Sequence, residues 1–225
     1  RVQCLLTRLP TENRTVSADL SSLASTIERL HAAGADADRT EARSVFATFR
    51  AELSAGRARA ASPDPDSPTG WTVNAWVKQG ILVGFRCGEI ISVPGDTPHV
   101  PFLDKDTLPL RSLDTSSQVR LVPGGSSIRD GAFVGAGVIC MPPMFINIGA
   151  YVGADSLIDS HALVGSCAQI GERVHVSAGA QIGAKALTER NRWGLRNAKV
   201  SAPCPPIEWP VTDCRSMSTG NCRSI

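Results

Sequence analysis

The feature that most constrains this chain is a six-residue period running from Val122 to about Leu187. Every sixth residue reads Val122, Ile128, Val134, Cys140, Ile146, Val152, Ile158, Val164, Ile170, Val176 and Ile182. Ten of these eleven are β-branched aliphatics, and the other is a small thiol that packs as a hydrophobe. Four residues further on in each repeat, eight of eleven positions are Ala or Ser, and Gly directly follows the aliphatic at 135, 153, 165, 171 and 183. A helix repeats near 3.6 residues and a strand at 2, so neither explains six. A β-helix of hexapeptides does: three six-residue sides close one triangular coil, and each aliphatic stacks on its counterpart in the coil below. The small residue then fits near the corner, and the Gly is expected to relieve backbone strain at the turn. Eleven repeats amount to roughly 3.7 coils.

Before the repeats, the chain reads as helical. Residues 1–15 show no period and are expected to be frayed or artificial. From Asp19, Leu20, Leu23, Ile27 and Leu30 recur at helical spacing up to Ala-Ala-Gly at 32–34. Thr40 is a candidate N-cap for a second helix with Val45, Phe46, Phe49 and Leu53 on one face and Gly56 as its stop, the two packing as a hairpin. Residues 61–70 read as a loop by their Pro and Gly content. From Trp71 to Arg86, Val73, Trp76, Val77, Gly80, Ile81 and Gly84 share a helical face, although Ile81–Phe85 also fits a strand. Residues 88–118, with Pro94, Pro98, Pro101 and Pro109, read as an irregular linker holding one short strand. The expected organisation is therefore a mostly helical domain and linker over 1–118, a β-helix over 119–187, and a non-repeat tail over 188–225. That tail matches neither period, and a coil left uncapped presents open strand edges.

Composition narrows the function classes. Net charge is +2, from 23 basic and 21 acidic residues, which predicts no nucleic acid or other polyanion as partner. No apolar run approaches the ~20 residues of a membrane span, and the N-terminus shows no apolar signal-peptide core. The chain opens on Arg1 rather than Met, so a natural start upstream is expected. Seven scattered cysteines (4, 87, 140, 167, 204, 214 and 222), with no C-x-x-C pair, predict reduced thiols in a cytoplasmic protein.

Two stretches go beyond a generic repeat: Met141-Pro-Pro-Met-Phe-Ile-Asn147-Ile-Gly-Ala-Tyr151-Val, and Ile158-Asp159-Ser-His161-Ala-Leu-Val-Gly-Ser166-Cys167-Ala-Gln-Ile-Gly171. They resemble the tetrahydrodipicolinate N-succinyltransferase family of bacterial lysine and diaminopimelate biosynthesis. Trp71–Arg86 resembles the helix before that family's linker, and Val119-Arg120-Leu-Val-Pro resembles its entry to the β-helix. The resemblance covers about residues 70–183, with a weaker helical match before it. It implies a homotrimer of left-handed β-helices with active sites between subunits. It also implies succinyl-coenzyme A as co-substrate, no permanently bound cofactor, no metal, and 2-amino-6-oxopimelate as the amine acceptor. Arg120 and Asp159 correspond to family residues that bind this acceptor, Asp159 with a catalytic role. Arg suits forked hydrogen bonding to a carboxylate, and a carboxylate can hold an ammonium and assist its deprotonation. No residue can be assigned to coenzyme A. The sequence leaves the family pattern at Ala184, so a shifted reading frame or truncation, and impaired turnover, are expected.

The same residues have plainer readings. Asp159 would otherwise be a corner residue capping its own turn, and Arg120 a solvated charge at a strand end. His161 and His175 could suggest a zinc site like that of hexapeptide-fold carbonic anhydrases, but their places in the repeat do not stack. Cys167 has no evident base beside it and is expected to be inert. A truncated, non-catalytic hexapeptide scaffold is the alternative to an enzyme.

Overall fold

The computed structural model describes residues 12–93 and 102–183, with side chains from Leu20 onward. The helical expectation holds with shifted boundaries. Helix α1 spans Glu12–Ala33, starting upstream of Asp19. Helix α2 spans Arg39–Ser54, and its N-cap is Asp38 rather than Thr40, because the Asp38 carboxylate accepts the Glu41 backbone N–H at 2.6 Å. Gly56 follows its end at φ +74°, a left-handed conformation that suits glycine.

The expected loop at 61–70 is instead part of a hairpin. Strand β1 (Ala61–Pro63) pairs antiparallel with β2 (Trp71–Val73), and the Pro- and Gly-rich residues supply only the turn between them. Helix α3 therefore begins at Ala75 and ends at Cys87, which excludes Val73 from its buried face and leaves it exposed. The presumed linker holds two strands, β3 (Ile90–Val93) and β4 (Phe102–Lys105), paired antiparallel. The three helices share one core of Ile27, Leu30, Phe46, Phe49, Leu53, Val77 and Ile81.

The repeats form eleven two-residue strands: β5 (Arg120–Leu121), β6 (Ser127–Ile128), β7 (Phe133–Val134), β8 (Ile139–Cys140), β9 (Phe145–Ile146), β10 (Tyr151–Val152), β11 (Leu157–Ile158), β12 (Leu163–Val164), β13 (Gln169–Ile170), β14 (His175–Val176) and β15 (Gln181–Ile182). They stack into three parallel sheets, ordered β7-β10-β13, β5-β8-β11-β14 and β6-β9-β12-β15. Tyr151 pairs with Gln169 and Leu157 with His175, so one coil takes eighteen residues, three sides of six. The result is a parallel solenoid of about four turns, consistent with the left-handed β-helix.

The six-spaced residues from Ile128 to Val176 are buried in one continuous core, with Ile146, Val152, Ile158 and Val164 fully enclosed. Burying each is worth roughly 1.5–3 kcal/mol. Ile182, Val174 and Ala180 at the far end are only partly buried. Val122 does not join the column. Leu121 pairs with Cys140, nineteen residues on, so the side leading to Ile128 carries one extra residue around Gly124-Gly125.

Gly135, Gly153 and Gly165, each after an inward aliphatic, serve coil packing rather than strained turns. A Cβ on Gly135 would come within 2.7 Å of the Ala154 backbone, and one on Gly153 within 2.5 Å of Gly171. The left-handed residue comes three positions after the aliphatic instead: Gly131, Gly137, Gly149, Asp155, His161, Cys167, Arg173 and Gly179 all have positive φ. Ser156 fills the small inward position and ties coils together, donating to the Gly171 carbonyl at 3.1 Å and accepting the Val174 N–H at 3.1 Å.

Candidate functional site

Strands of two residues place the first side chain outward and the second inward, so each sheet carries an outward ladder with one side chain per coil. The three ladders differ in what covers them. Phe133, Tyr151 and Gln169 lie under the helical region: the Phe133 and Tyr151 rings stack at 4.5 Å, and the Arg59 guanidinium sits 3.6 Å from the Tyr151 ring. Arg59 also donates to Gln169 at 3.1 Å, while burial lowers its pKa. At the adjoining corner Ser54 bridges the Asp130 carboxylate (2.6 Å) and the Gly131 N–H (2.7 Å), and Arg50 pairs with Asp130 at 2.9 Å. This ladder is structural, because it docks the helices.

Among the described residues no helix covers the sheet β5-β8-β11-β14, which in that sense stands open. Its outward ladder reads Arg120, Ile139, Leu157 and His175, in register. Arg120 and His175 are exposed, and the two aliphatics between them are half-buried. Asp159 follows the inward Ile158, so alternation returns it to the same outer face. Both sequence-predicted site residues thus lie on the exterior of one sheet. Arg120 is on β5 and Asp159 directly follows β11, two strand spacings or about 10 Å away across the sheet and two residues or about 7 Å further along the strand direction.

Asp159 does cap its own corner: its Oδ1 accepts the Ser160 N–H at 2.7 Å. Its Oδ2 lies 3.2 Å from Nε2 of His175, one coil on. The Ser160 N–H first, and then His175, hold its carboxyl below the ordinary aspartate range, so it is ionised at neutral pH. The His175 contact was not anticipated from sequence. The signal was present, however: with eighteen residues per coil, positions i and i+16 are diagonal neighbours on one outer face.

The other singled-out residues have turn or packing roles. His161 is an exposed left-handed corner residue whose N–H bonds the Pro143 carbonyl at 2.5 Å. Cys167 occupies the same corner position at φ +67° and is buried in the helical core near Ile81 and Gly149. Burial pushes its thiol pKa up, which keeps it protonated, as expected of an inert cysteine. Cys140, inside the column, is pushed up to about 12 by burial. Cys87, Cys140 and Cys167 are all free thiols, and the remaining cysteines lie outside the described residues. Among the described residues no helix is long and apolar enough to cross a membrane.

A helical region docks on one face of a hexapeptide β-helix, and an arginine and a carboxylate stand on another. Known proteins share both parts. Residues 22–87 match the family described as tetrahydrodipicolinate N-succinyltransferase N-terminal, so the helices that looked least distinctive are themselves recognisable. The chain is 40% identical over 135 residues to a 2,3,4,5-tetrahydropyridine-2,6-dicarboxylate N-succinyltransferase of Paramagnetospirillum magneticum, covering 58% of this chain and 46% of that protein. It is 43% identical over 124 residues to the protein of that name from Xylella fastidiosa, with 53% and 43% covered. The Nitrobacter winogradskyi protein of that name is 37% identical over 151 residues, with 65% and 52% covered. The chain is related to the tetrahydrodipicolinate N-succinyltransferases and spans about half the length of these relatives.

Proposed function

We propose that this protein is an N-succinyltransferase that moves a succinyl group from succinyl-coenzyme A to the amine of 2-amino-6-oxopimelate, the ring-opened form of tetrahydrodipicolinate. The observation that carries this reading is the ionised Asp159 carboxylate on the same open sheet face as Arg120. Arg120 offers a forked, permanently charged donor to one substrate carboxylate. Asp159 holds the substrate ammonium and assists its deprotonation. The freed amine attacks the thioester carbonyl, the C–N bond forms, the C–S bond breaks, and the coenzyme leaves as a thiolate that takes up a proton. Ile139 and Leu157 line the apolar span between the two charged residues.

The working form in this proposal is a cytoplasmic homotrimer, with solenoids meeting along faces the helices do not cover. Arg120 and Asp159 of one acceptor site then come from the same subunit or from neighbours across the boundary. The β-helix expected over 119–187, of which 184–187 lie outside the described residues, supplies the acceptor side, and the helical region before it buttresses one face.

The test is steady-state succinyl transfer by the 225-residue chain, beside a chimera whose residues after 183 follow the relatives. Asp159→Asn in the chimera is expected to keep the fold and to lose about 100-fold or more in kcat/KM, in the range for general acid–base groups. Full activity in Asp159→Asn would remove that residue from the mechanism. No transfer by either wild-type protein would leave the chain a non-catalytic scaffold.

A further inference from the structure

Besides Asp159, two polar residues near corners of this solenoid cap the next backbone N–H. Asn147 accepts from Ile148 at 2.8 Å and Asp130 from Gly131 at 3.0 Å. Asp159 does the same with Ser160 at 2.7 Å, so the turn is satisfied by Oδ1 alone. The second contact, His175 Nε2 to Oδ2 at 3.2 Å, is something the corner does not require. The residue diagonal to Asn147 in the next coil, sixteen positions on, is Leu163, which offers no donor.

Nor does the pair serve stability. The His175 side chain is 47% exposed and that of Asp159 29%, and solvent-accessible pairs of this kind contribute little to folding. An ionised carboxylate has only acceptors, so the contact is a hydrogen bond only if Nε2 carries the proton. His175 is the register partner of Leu157 on the open sheet.

We propose that His175 is the positioning residue of Asp159, with its Nε2–H fixing the carboxylate so that the remaining lone pairs point at the acceptor's ammonium. This rests on the acceptor reading above. Two oxygens offer about four acceptor sites, of which Ser160 and His175 occupy one on each oxygen. The carboxylate therefore keeps capacity for the ammonium while losing its freedom to rotate. The imidazole touches Asp159 and not the reacting atoms.

The experiment uses the full 225-residue chain with His175→Phe, which keeps a ring but no donor, and His175→Gln, whose amide N–H reaches a comparable place. The Asp159 carboxyl carbon is titrated by NMR, and 2-aminopimelate binding is measured by calorimetry. In His175→Phe the carboxyl midpoint is expected to rise toward the ordinary aspartate value, and binding to weaken about ten-fold, the size of one charge-assisted hydrogen bond. His175→Gln is expected to recover most of both. An unmoved carboxyl in His175→Phe overturns the pairing itself. A shifted carboxyl with unchanged binding overturns the positioning role, as does an equal binding loss in both variants, because the amide donor of His175→Gln would then restore nothing. If the wild-type chain binds no 2-aminopimelate while its carboxyl still responds to His175→Phe, the acceptor reading fails and the positioning role with it, but the pair stands.

Discussion

The helical region and the solenoid build their cores by opposite means. In the helices each contact is individual: Phe46 and Phe49 meet tilted at 6.1 Å, Phe49 and Trp76 at 5.6 Å, and Gly80 and Gly84 make flats on α3 for the two phenylalanine rings. In the solenoid one type of contact recurs, a branched aliphatic on its counterpart eighteen residues away. A core specified by shape resists changes of size, whereas a core specified by register resists polarity and loss of neighbours. The difference also frees the solenoid's outer surface. Because its inside is uniform, outward positions can carry docking residues on one face and Arg120, Asp159 and His175 on another.

Polarity inside the column should produce the largest effect. Val164→Asp puts an unpaired charge at a fully enclosed site and is expected to cost more than about 4 kcal/mol, enough to abolish folding. A cooperative urea transition near the wild-type midpoint would break the register account. Loss of neighbours comes next. Ile158→Ala, in mid-column, should cost about 3–4 kcal/mol, while Ile182→Ala at the partly buried end should cost about 1 kcal/mol. Equal losses by urea denaturation would mean that the column has no weak end.

Size should matter more among the helices. A Cβ on Gly84 would overlap the Phe46 ring, so Gly84→Ala is expected to lose about 1–3 kcal/mol despite alanine's better helix propensity. A gain in melting temperature would show that the ring moves freely, which would remove the shape argument. The smallest effect concerns corners: Arg173 sits at φ +55°, and Arg173→Gly is expected to be neutral or to stabilise by up to about 1 kcal/mol, since relief of the left-handed strain competes with glycine's entropy cost. A clear loss in the same melt would assign the Arg173 side chain a role beyond its corner.

The column from Ile128 onward was legible because a period of six has one structural solution, and the motif residues led to Arg120 and Asp159. Other features were not legible for identifiable reasons. Val122 fits the period by count, yet one extra residue near Gly124-Gly125 takes it out of register. Residues 61–73 carry turn chemistry that marks the bend but not the three-residue strands flanking it. Gly135, Gly153 and Gly165 resemble turn residues in sequence, but the clash they avoid is with the next coil, which no single repeat displays. In sequence, the evident chemical counterpart of His175 is another histidine, His161. Its true neighbour, Asp159, emerges once the eighteen-residue coil is fixed.

The central claim is that the open sheet face is where the acceptor lies. The most direct measurement is a crystal structure of the protein grown with 2-aminopimelate. The account predicts one carboxylate of the ligand forked on Arg120 and its ammonium on Asp159, with the His175 contact intact, whether the two residues come from one subunit or from neighbours. Ligand bound elsewhere, with Arg120 and Asp159 both untouched, would contradict it.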